Sequence, residues 1–257
     1  MNHYSHPKTI LITGATGAIG GALARVYAQV GITLILQGRN NDRLAELATI
    51  CVAKGASVQT CLIDVRNTSA YSAWLMGTCE QEKIDLVIVS AGVNINIGSD
   101  GSGEQWEAIQ ALIEVNVLAT MATVNAVLPS MRASGEGQIA LFSSLAAYFG
   151  LPVTPSYCAS KAAIKAYGEA LRGWLAPEGI HVNVIMPGYV ESKMCHDMPG
   201  PKPFIWTADQ AALAIKCGLA RNKARISFPF PLNLGAWFLT VLPASVSIWI
   251  VRQLHYA

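Results

Sequence analysis

Three residues near the middle of the chain have the types and spacing to move a proton. Tyr157 and Lys161 stand four apart in "SYCASKAA", directly after Pro155. A helix that starts at that proline stacks both side chains on one face. Ser144 comes shortly before, just past the apolar run "QIALFS". Hydride reduction of a carbonyl needs a proton donor at the oxygen. A tyrosine hydroxyl has an ordinary pKa of about 10. A neighbouring ammonium favours the phenolate and lowers that value, which suits Tyr157 to be general acid in reduction and general base in oxidation. A serine hydroxyl can bond the substrate oxygen as charge develops on it. Taken alone, a Tyr–Lys pair on a helix is an ordinary surface arrangement. Its weight depends on where the fold puts it.

The elements that must position these residues alternate along the chain. Short apolar runs at 9–13, 32–36, 57–63, 85–90, 138–143, 180–186 and 225–228 read as strands. Helical stretches at 20–30, 41–54, 68–82, 106–131, 157–175 and 208–220 separate them. Near-continuous apolar strands joined by helices predict a parallel sheet covered on both faces. The expected fold is therefore α/β, a single doubly wound Rossmann-type sheet spanning 1–228, with an apolar helical extension at 229–257. In such a sheet ligands sit at the carboxyl ends of the strands, and Ser144 lies at one of them.

A second constellation sits at the other end of that crevice. "TGATGAIG" at 13–20 falls between the first strand and the first helix. Glycines there permit a tight turn and close approach of backbone N–H groups to a pyrophosphate, and the helix N-terminus favours its charge. The second strand ends "LILQGRN". A carboxylate at its end would read a ribose 2′-hydroxyl, and an arginine a 2′-phosphate. The position holds Gln37, with Arg39 two residues on and no carboxylate before Asp42. Arg39 therefore predicts NADP(H) over NAD(H), while Arg43 is placed on the solvent face of the following helix.

The 257 residues suffice for a full core. With 52% hydrophobic and only 13% charged residues, the chain must bury much of its surface in a core, an interface or a membrane-facing patch. A net charge of +2 without a basic run excludes a nucleic-acid partner. The six cysteines lie apart, at 51, 61, 79, 158, 195 and 217, and read as reduced thiols; no metal site is expected. "MNHYSHPK" lacks the apolar stretch of a signal peptide, which predicts a cytoplasmic body, with a membrane's cytoplasmic face as one possible station.

With these motifs in order, the chain resembles the short-chain dehydrogenase/reductase (SDR) family from Thr9 to about Phe228. "TGATGAIG" stands at the glycine motif, "IDV" (63–65) at the adenine contact, "SAG" (90–92) where the family has "NAG", and "VNV" (115–117) at the active-site asparagine. "YCASK" stands at YxxxK and "PGYVES" (187–192) at the segment that wraps the nicotinamide. The resemblance implies a catalytic set of Asn116, Ser144, Tyr157 and Lys161. Tyr157 would be the general acid/base, Lys161 would hold the nicotinamide ribose and lower the Tyr157 pKa, Ser144 would orient the carbonyl, and Asn116 would hold a water linking Lys161 to solvent. It implies cofactor contacts from Gly14, Thr16, Gly17, Ile19 and Gly20, then from Asp64 against the adenine and from Val65, Ala91 and Gly92. Tyr157, Lys161, Pro187, Gly188, Val190 and Ser192 would complete them beside Arg39. Two positions depart from the pattern: Ala18 replaces the usual second glycine, and Ser90 replaces an asparagine that often braces the sheet.

The substrate end is less determined. The loop "KMCHDMPGPKPFIW" brings Met194, Met198, Phe204 and Trp206, and Tyr148, Phe149 and Leu151 follow Ser144. If these meet, the pocket is apolar and suits a lipid or hydrophobic ketone. His181 reads as a packed strand residue and His196 as a loop residue. From 226 to 251 no side chain is charged, which raises the question of a membrane span, a subunit interface or the lid of a pocket. Pro229, Pro231 and Pro243 leave no stretch of the ~20 apolar residues that a span needs. Two short helices, 232–242 and 244–253, are expected to lie on a membrane interface, near Arg221, Lys223, Arg225 and Arg252, or on a second subunit of a dimer or tetramer. The leading expectation is an NADPH-dependent reductase of a lipid or lipid-linked carbonyl. The alternatives are a soluble small-ketone reductase or alcohol dehydrogenase with the tail as oligomer interface, and a non-catalytic NADP-sensing regulator.

Overall fold

A computed structural model describes residues 7–98 and 101–254. Seven parallel strands form one sheet: β1 (Thr9–Thr13), β2 (Thr33–Gly38), β3 (Ser57–Leu62), β4 (Leu86–Val89), β5 (Gly137–Phe142), β6 (Ile180–Pro187) and β7 (Arg225–Phe228), in the order β3-β2-β1-β4-β5-β6-β7. The chain winds outward from β1 to β3, then returns to place β4 on the other side of β1. A crevice opens where the winding reverses, at the carboxyl ends of β1 and β4.

Both faces of the inner strands are covered, which is why β1, β2, β4, β5 and β6 are largely apolar, whereas β3 at the edge is mostly exposed and carries Ser57, Gln59 and Thr60. Ile10, Ile12, Leu34, Leu36 and Ile88 pack with helices α1 (Ala18–Tyr27), α2 (Asn41–Ala53) and α8 (Ala208–Ala220). Leu11, Ile35, Val87, Val89 and Ile139 point the other way, into a second core beneath α3 (Thr68–Gln81), α5 (Ala119–Ser134) and α6 (Pro155–Leu175). Each fully buried Leu or Ile contributes roughly 1.5–3 kcal/mol. The expected doubly wound α/β architecture is the one observed.

The helix expected at 106–131 runs to Ser134 but is not uniform. It opens as α4 (Trp106–Ile113), widens into a π turn at Glu114–Leu118, and continues as α5. The run Trp106–Ser134 is long and apolar enough to cross a membrane, yet Val115, Val124, Val127, Leu128 and Met131 are buried in the second core. The π turn carries Asn116.

The tail consists of α9 (Leu232–Phe238) and α10 (Ala244–Gln253), both too short to span a bilayer. They are packed onto the sheet domain. Leu232 and Ala236 join Leu145 and Met186 in a small third core. Asn233 donates to the Ser227 carbonyl at 3.2 Å, and the buried Ser247 hydroxyl donates to the Leu239 carbonyl at 2.8 Å, holding α10 to the end of α9.

Candidate active site

The glycine turn is built by close approach. Gly14 has φ +64°, and a Cβ there would stand 2.7 Å from the Ala91 backbone; one on Gly20 would meet the Gly14 carbonyl at 2.5 Å. The turn is also tied from below by Gln37, which is 1% exposed. Its Oε1 accepts from the Gly14 N–H at 3.0 Å and its Nε2 donates to the Ile63 carbonyl at 2.6 Å. Gln37 is therefore a clamp joining the glycine turn to the strand beyond, with its amide committed to protein partners. Ser90, the other departure, keeps a brace across the crevice: its hydroxyl donates to the Thr13 carbonyl at 2.5 Å.

No side chain caps the start of α1, where Gly17 is the N-cap. Gly14, Thr16, Gly17, Ala18, Ile19 and Gly20 all line a cavity of about 1350 Å³. An uncapped, positively polarised helix start beside a left-handed glycine fits a pyrophosphate. Arg39 lines the same end of the cavity, as expected. Arg43 is exposed on α2, as expected, and also lines this end of the cavity; the bond from its N–H to Asn40 Oδ1 starts α2 at the cavity rim. Val65, Ala91 and Gly92 are also in the wall. The Asp64 carboxylate is gripped by Arg66 through bonds of 2.7–3.2 Å, which hold its pKa below the usual range, and Asp64 is not among the wall residues. The residues present thus fit a dinucleotide with an anion near its adenosine ribose.

At the other end α6 presents Tyr157 and Lys161 one turn apart, as the spacing predicted. Lys161 is 5% exposed, and its ammonium donates to the Phe142 carbonyl at 3.0 Å. The Ser143 hydroxyl donates to the Lys161 carbonyl at 2.7 Å and fixes the helix to the end of β5. No local pattern separates this anchoring Ser143 from its neighbour Ser144. Ser144 caps a short 3₁₀ turn, accepting from the Ala146 N–H at 3.1 Å, and its hydroxyl bonds Tyr157. Burial pushes the Tyr157 hydroxyl up to about 12, against the downward pull of the Ser144 bond. Burial also lowers Lys161 to about 8. In the protein by itself the net shift of Tyr157 is upward, because desolvation by burial is the largest contribution.

Asn116 is buried behind the wall. Its Oδ1 accepts from the Val93 N–H at 2.8 Å; its Nδ2 donates to the Val93 carbonyl at 2.9 Å and the Ser160 hydroxyl at 3.0 Å. Its carbonyl accepts from Thr120. These bonds secure the segment after β4 to α6. A Cβ on Gly92 would stand 3.4 Å from both Asn116 Oδ1 and Lys161 Nζ, so the two meet at this glycine.

Pro187, Gly188, Tyr189, Val190 and Ser192 form a strap along the cavity. Ser192 caps the short helix α7 (Lys193–His196), accepting from the Cys195 N–H at 3.1 Å. Met194 and Met198 face the cavity, and so do Phe149 and Leu151. Three expected wall residues do not. Trp206 stacks on Phe228 with centroids 4.9 Å apart and braces the strap through Val190, and Phe204 is 55% exposed with φ +56°. Tyr148 also turns away, towards Lys165. His181 bonds Asn222 and His196 faces Asp197, both outside the cavity. All six cysteines are free.

The largest contribution missed by the sequence reading comes from the tail. Leu232, Ala236, Phe238, Leu239, Ile250, Val251 and Leu254 line the cavity opposite Phe149 and Met194. A Cβ on Gly188 would stand 3.0 Å from Leu232 and Pro229, so the tail lies directly on the strap. The alternation of Leu232, Ala236 and Leu239 at helical spacing was the available signal.

Comparison with known proteins agrees with this geometry. The family model described as short chain dehydrogenase matches residues 8–201. An uncharacterized oxidoreductase of Myxococcus xanthus is 32% identical over 249 residues, 96% of this chain and 98% of that protein. A ketoacyl reductase of Nostoc sp. is 35% identical over 184 residues, 71% of this chain and 63% of that protein. A solved short-chain dehydrogenase from Sphingobium yanoikuyae, in complex with NADPH, superimposes with a TM-score of 0.80 at 25% identity, covering 95% of this chain and 93% of that one.

Proposed function

The chain belongs to the short-chain dehydrogenase family and is an NAD(P)-dependent carbonyl/alcohol oxidoreductase, and from that premise we propose that it reduces hydrophobic ketones with NADPH. The carrying observation is the wall of the substrate end. From Ser144 outward it is made by Leu145, Phe149, Leu151, Met194 and Met198 on one side and by the inner faces of α9 and α10 on the other. Among the described residues no carboxylate stands in that wall to meet a sugar, and the Lys193 ammonium there is already paired with Asp197.

A bound nicotinamide supplies the hydride. The chain's own residues handle the carbonyl oxygen. Ser144 donates to it, and Tyr157, protonated across the physiological range, passes its proton to the oxygen as charge develops. The phenolate left behind regains a proton from solvent, and the Lys161 ammonium limits its cost while it lasts. Arg39 and Arg43 support a 2′-phosphate at the far end.

The outer faces of α9 and α10 expose Leu234, Trp237, Ile248 and Trp249, and the turn between them exposes Val241. These same helices wall the cavity within, which supports a substrate drawn from a lipid surface. The test of substrate class is NADPH oxidation across a series of 2-alkanones. A kcat/KM that rises with chain length is expected, and a preference for polyols or short hydroxy acids would overturn the reading.

A further inference from the structure

The first turn of α6 is not capped by its own sequence. Thr154 is the N-cap, yet its hydroxyl is directed at Asn94 Oδ1 (2.8 Å) and the Ile95 carbonyl (2.5 Å). Pro155 has no N–H. The first donor of the helix is therefore Ser156, and its partner comes from far away in sequence. The Glu104 carboxylate accepts from the Ser156 N–H at 3.1 and 3.2 Å, and also from the Ser156 hydroxyl. The Ile97 N–H adds a bond to the Val153 carbonyl at 3.2 Å.

Orphan N–H groups at a helix start need partners, and a first turn without them frays. Here fraying would fall on Tyr157, the residue after Ser156. Lys161, one turn further, is held to β5 by Ser143 and by Phe142. Among the described residues no group of β5 bonds the backbone of the Tyr157 turn, which meets that end of the sheet only through the Tyr157 hydroxyl at Ser144. Glu104 supplies that missing anchor.

We infer that Glu104 is a positioning residue: its carboxylate fixes the first turn of α6, and so sets where the Tyr157 hydroxyl meets Ser144. The inference rests on Tyr157 as the proton donor. Glu104 itself touches none of the reacting atoms.

The test compares Glu104→Ala, Glu104→Gln and Tyr157→Phe with the unaltered chain. Turnover is read by NADPH oxidation with 2-decanone, cofactor affinity by NADPH fluorescence, and local order by amide hydrogen exchange along α6. Glu104→Ala is expected to lower kcat by about ten- to a hundredfold, the cost of a small misplacement of a reacting group. NADPH affinity and KM should stay within about twofold, and the amides of 156–158 should exchange faster while the rest of α6 is unchanged. Glu104→Gln keeps an acceptor oxygen and should recover kcat to within about threefold. Unchanged kcat in Glu104→Ala, or equal losses of kcat and NADPH binding, overturns the inference. Turnover lost in Tyr157→Phe but kept in Glu104→Ala sinks this inference alone, whereas full turnover in Tyr157→Phe, or none by the unaltered chain, sinks the reading beneath it. Should Glu104→Ala not fold, Glu104→Asp draws the carboxylate back by one methylene, and full kcat there is equally fatal.

Discussion

The ammonium of Lys161 stands 5.6 Å from the centre of the Tyr157 ring while donating to the Phe142 carbonyl. The two groups face each other inside a cavity wall that disfavours charge on either. Burial lifts the Tyr157 hydroxyl to about 12 and lowers Lys161 to about 8. The protein by itself thus keeps the tyrosine as a proton donor and leaves the lysine an ammonium at pH 7 that titrates well below its ordinary value.

Tyr157→Phe removes the donor and keeps the ring. Turnover should fall by at least about a hundredfold, the usual share of general acid catalysis, while NADPH still binds. Steady-state rates and NADPH fluorescence titration check this. A variant that retains full turnover would remove Tyr157 from the mechanism.

Lys161 makes stability depend on pH. Its folded value of about 8 lies below the ordinary 10.5, so between these values the unfolded chain binds more protons than the folded one. Stability from this group therefore rises with pH across that window, and the cost of the buried charge is complete below it. At about 1.4 kcal/mol per pKa unit the cost at pH 7 is on the order of 3 kcal/mol. Lys161→Met should raise the cofactor-free Tm at pH 7, with the gain shrinking to nothing by pH 10.5. Thermal melts at pH 7 and pH 10.5 decide, and a lower Tm at pH 7 would mean the charge is fully compensated.

Arg39 and Arg43 both face the cofactor end of the cavity. Arg39→Ala should weaken NADPH by about tenfold or more, from the loss of a charged hydrogen bond, and leave NADH within about twofold. Arg43→Ala should act in the same direction. Equal losses for the two nucleotides would show that neither arginine reads a 2′-phosphate.

Ala236 is a small residue in the tail wall, packed near Leu145. Ala236→Phe should narrow the substrate end, lowering kcat/KM for long 2-alkanones by about tenfold while sparing 2-butanone. A uniform loss for all chain lengths would indicate damage to the catalytic geometry instead.

The outer tail face gives a separate prediction. The double variant Trp237→Ser and Trp249→Ser should reduce flotation with phosphatidylcholine/phosphatidylglycerol vesicles and leave turnover of soluble 2-butanone unchanged. If the unaltered chain does not float and sediments as an oligomer that the variant splits, this face meets a second subunit instead of a bilayer.

The sequence by itself determined the architecture and the catalytic helix. Strands such as "TILIT" read as buried on both sides because their central residues are consecutively apolar, and Ile10 and Leu11 do enter opposite cores. The spacing of Tyr157 and Lys161 was legible because a helix places residues four apart on one face. Long-range partners were not legible. Gln37 looked like a nucleotide reader by position, but only the approach of the glycine turn and of Ile63 makes it a clamp. Trp206 looked like a pocket aromatic until Phe228 came beneath it. The pKa order of Tyr157 and Lys161 depends on how far each is removed from water, a property of the whole wall. The tail's role was decided in the same way. Its prolines told that it breaks into short helices. That one face of those helices closes the cavity follows from where β7 ends, beside the strap at Gly188, and this is a distance that no local pattern encodes.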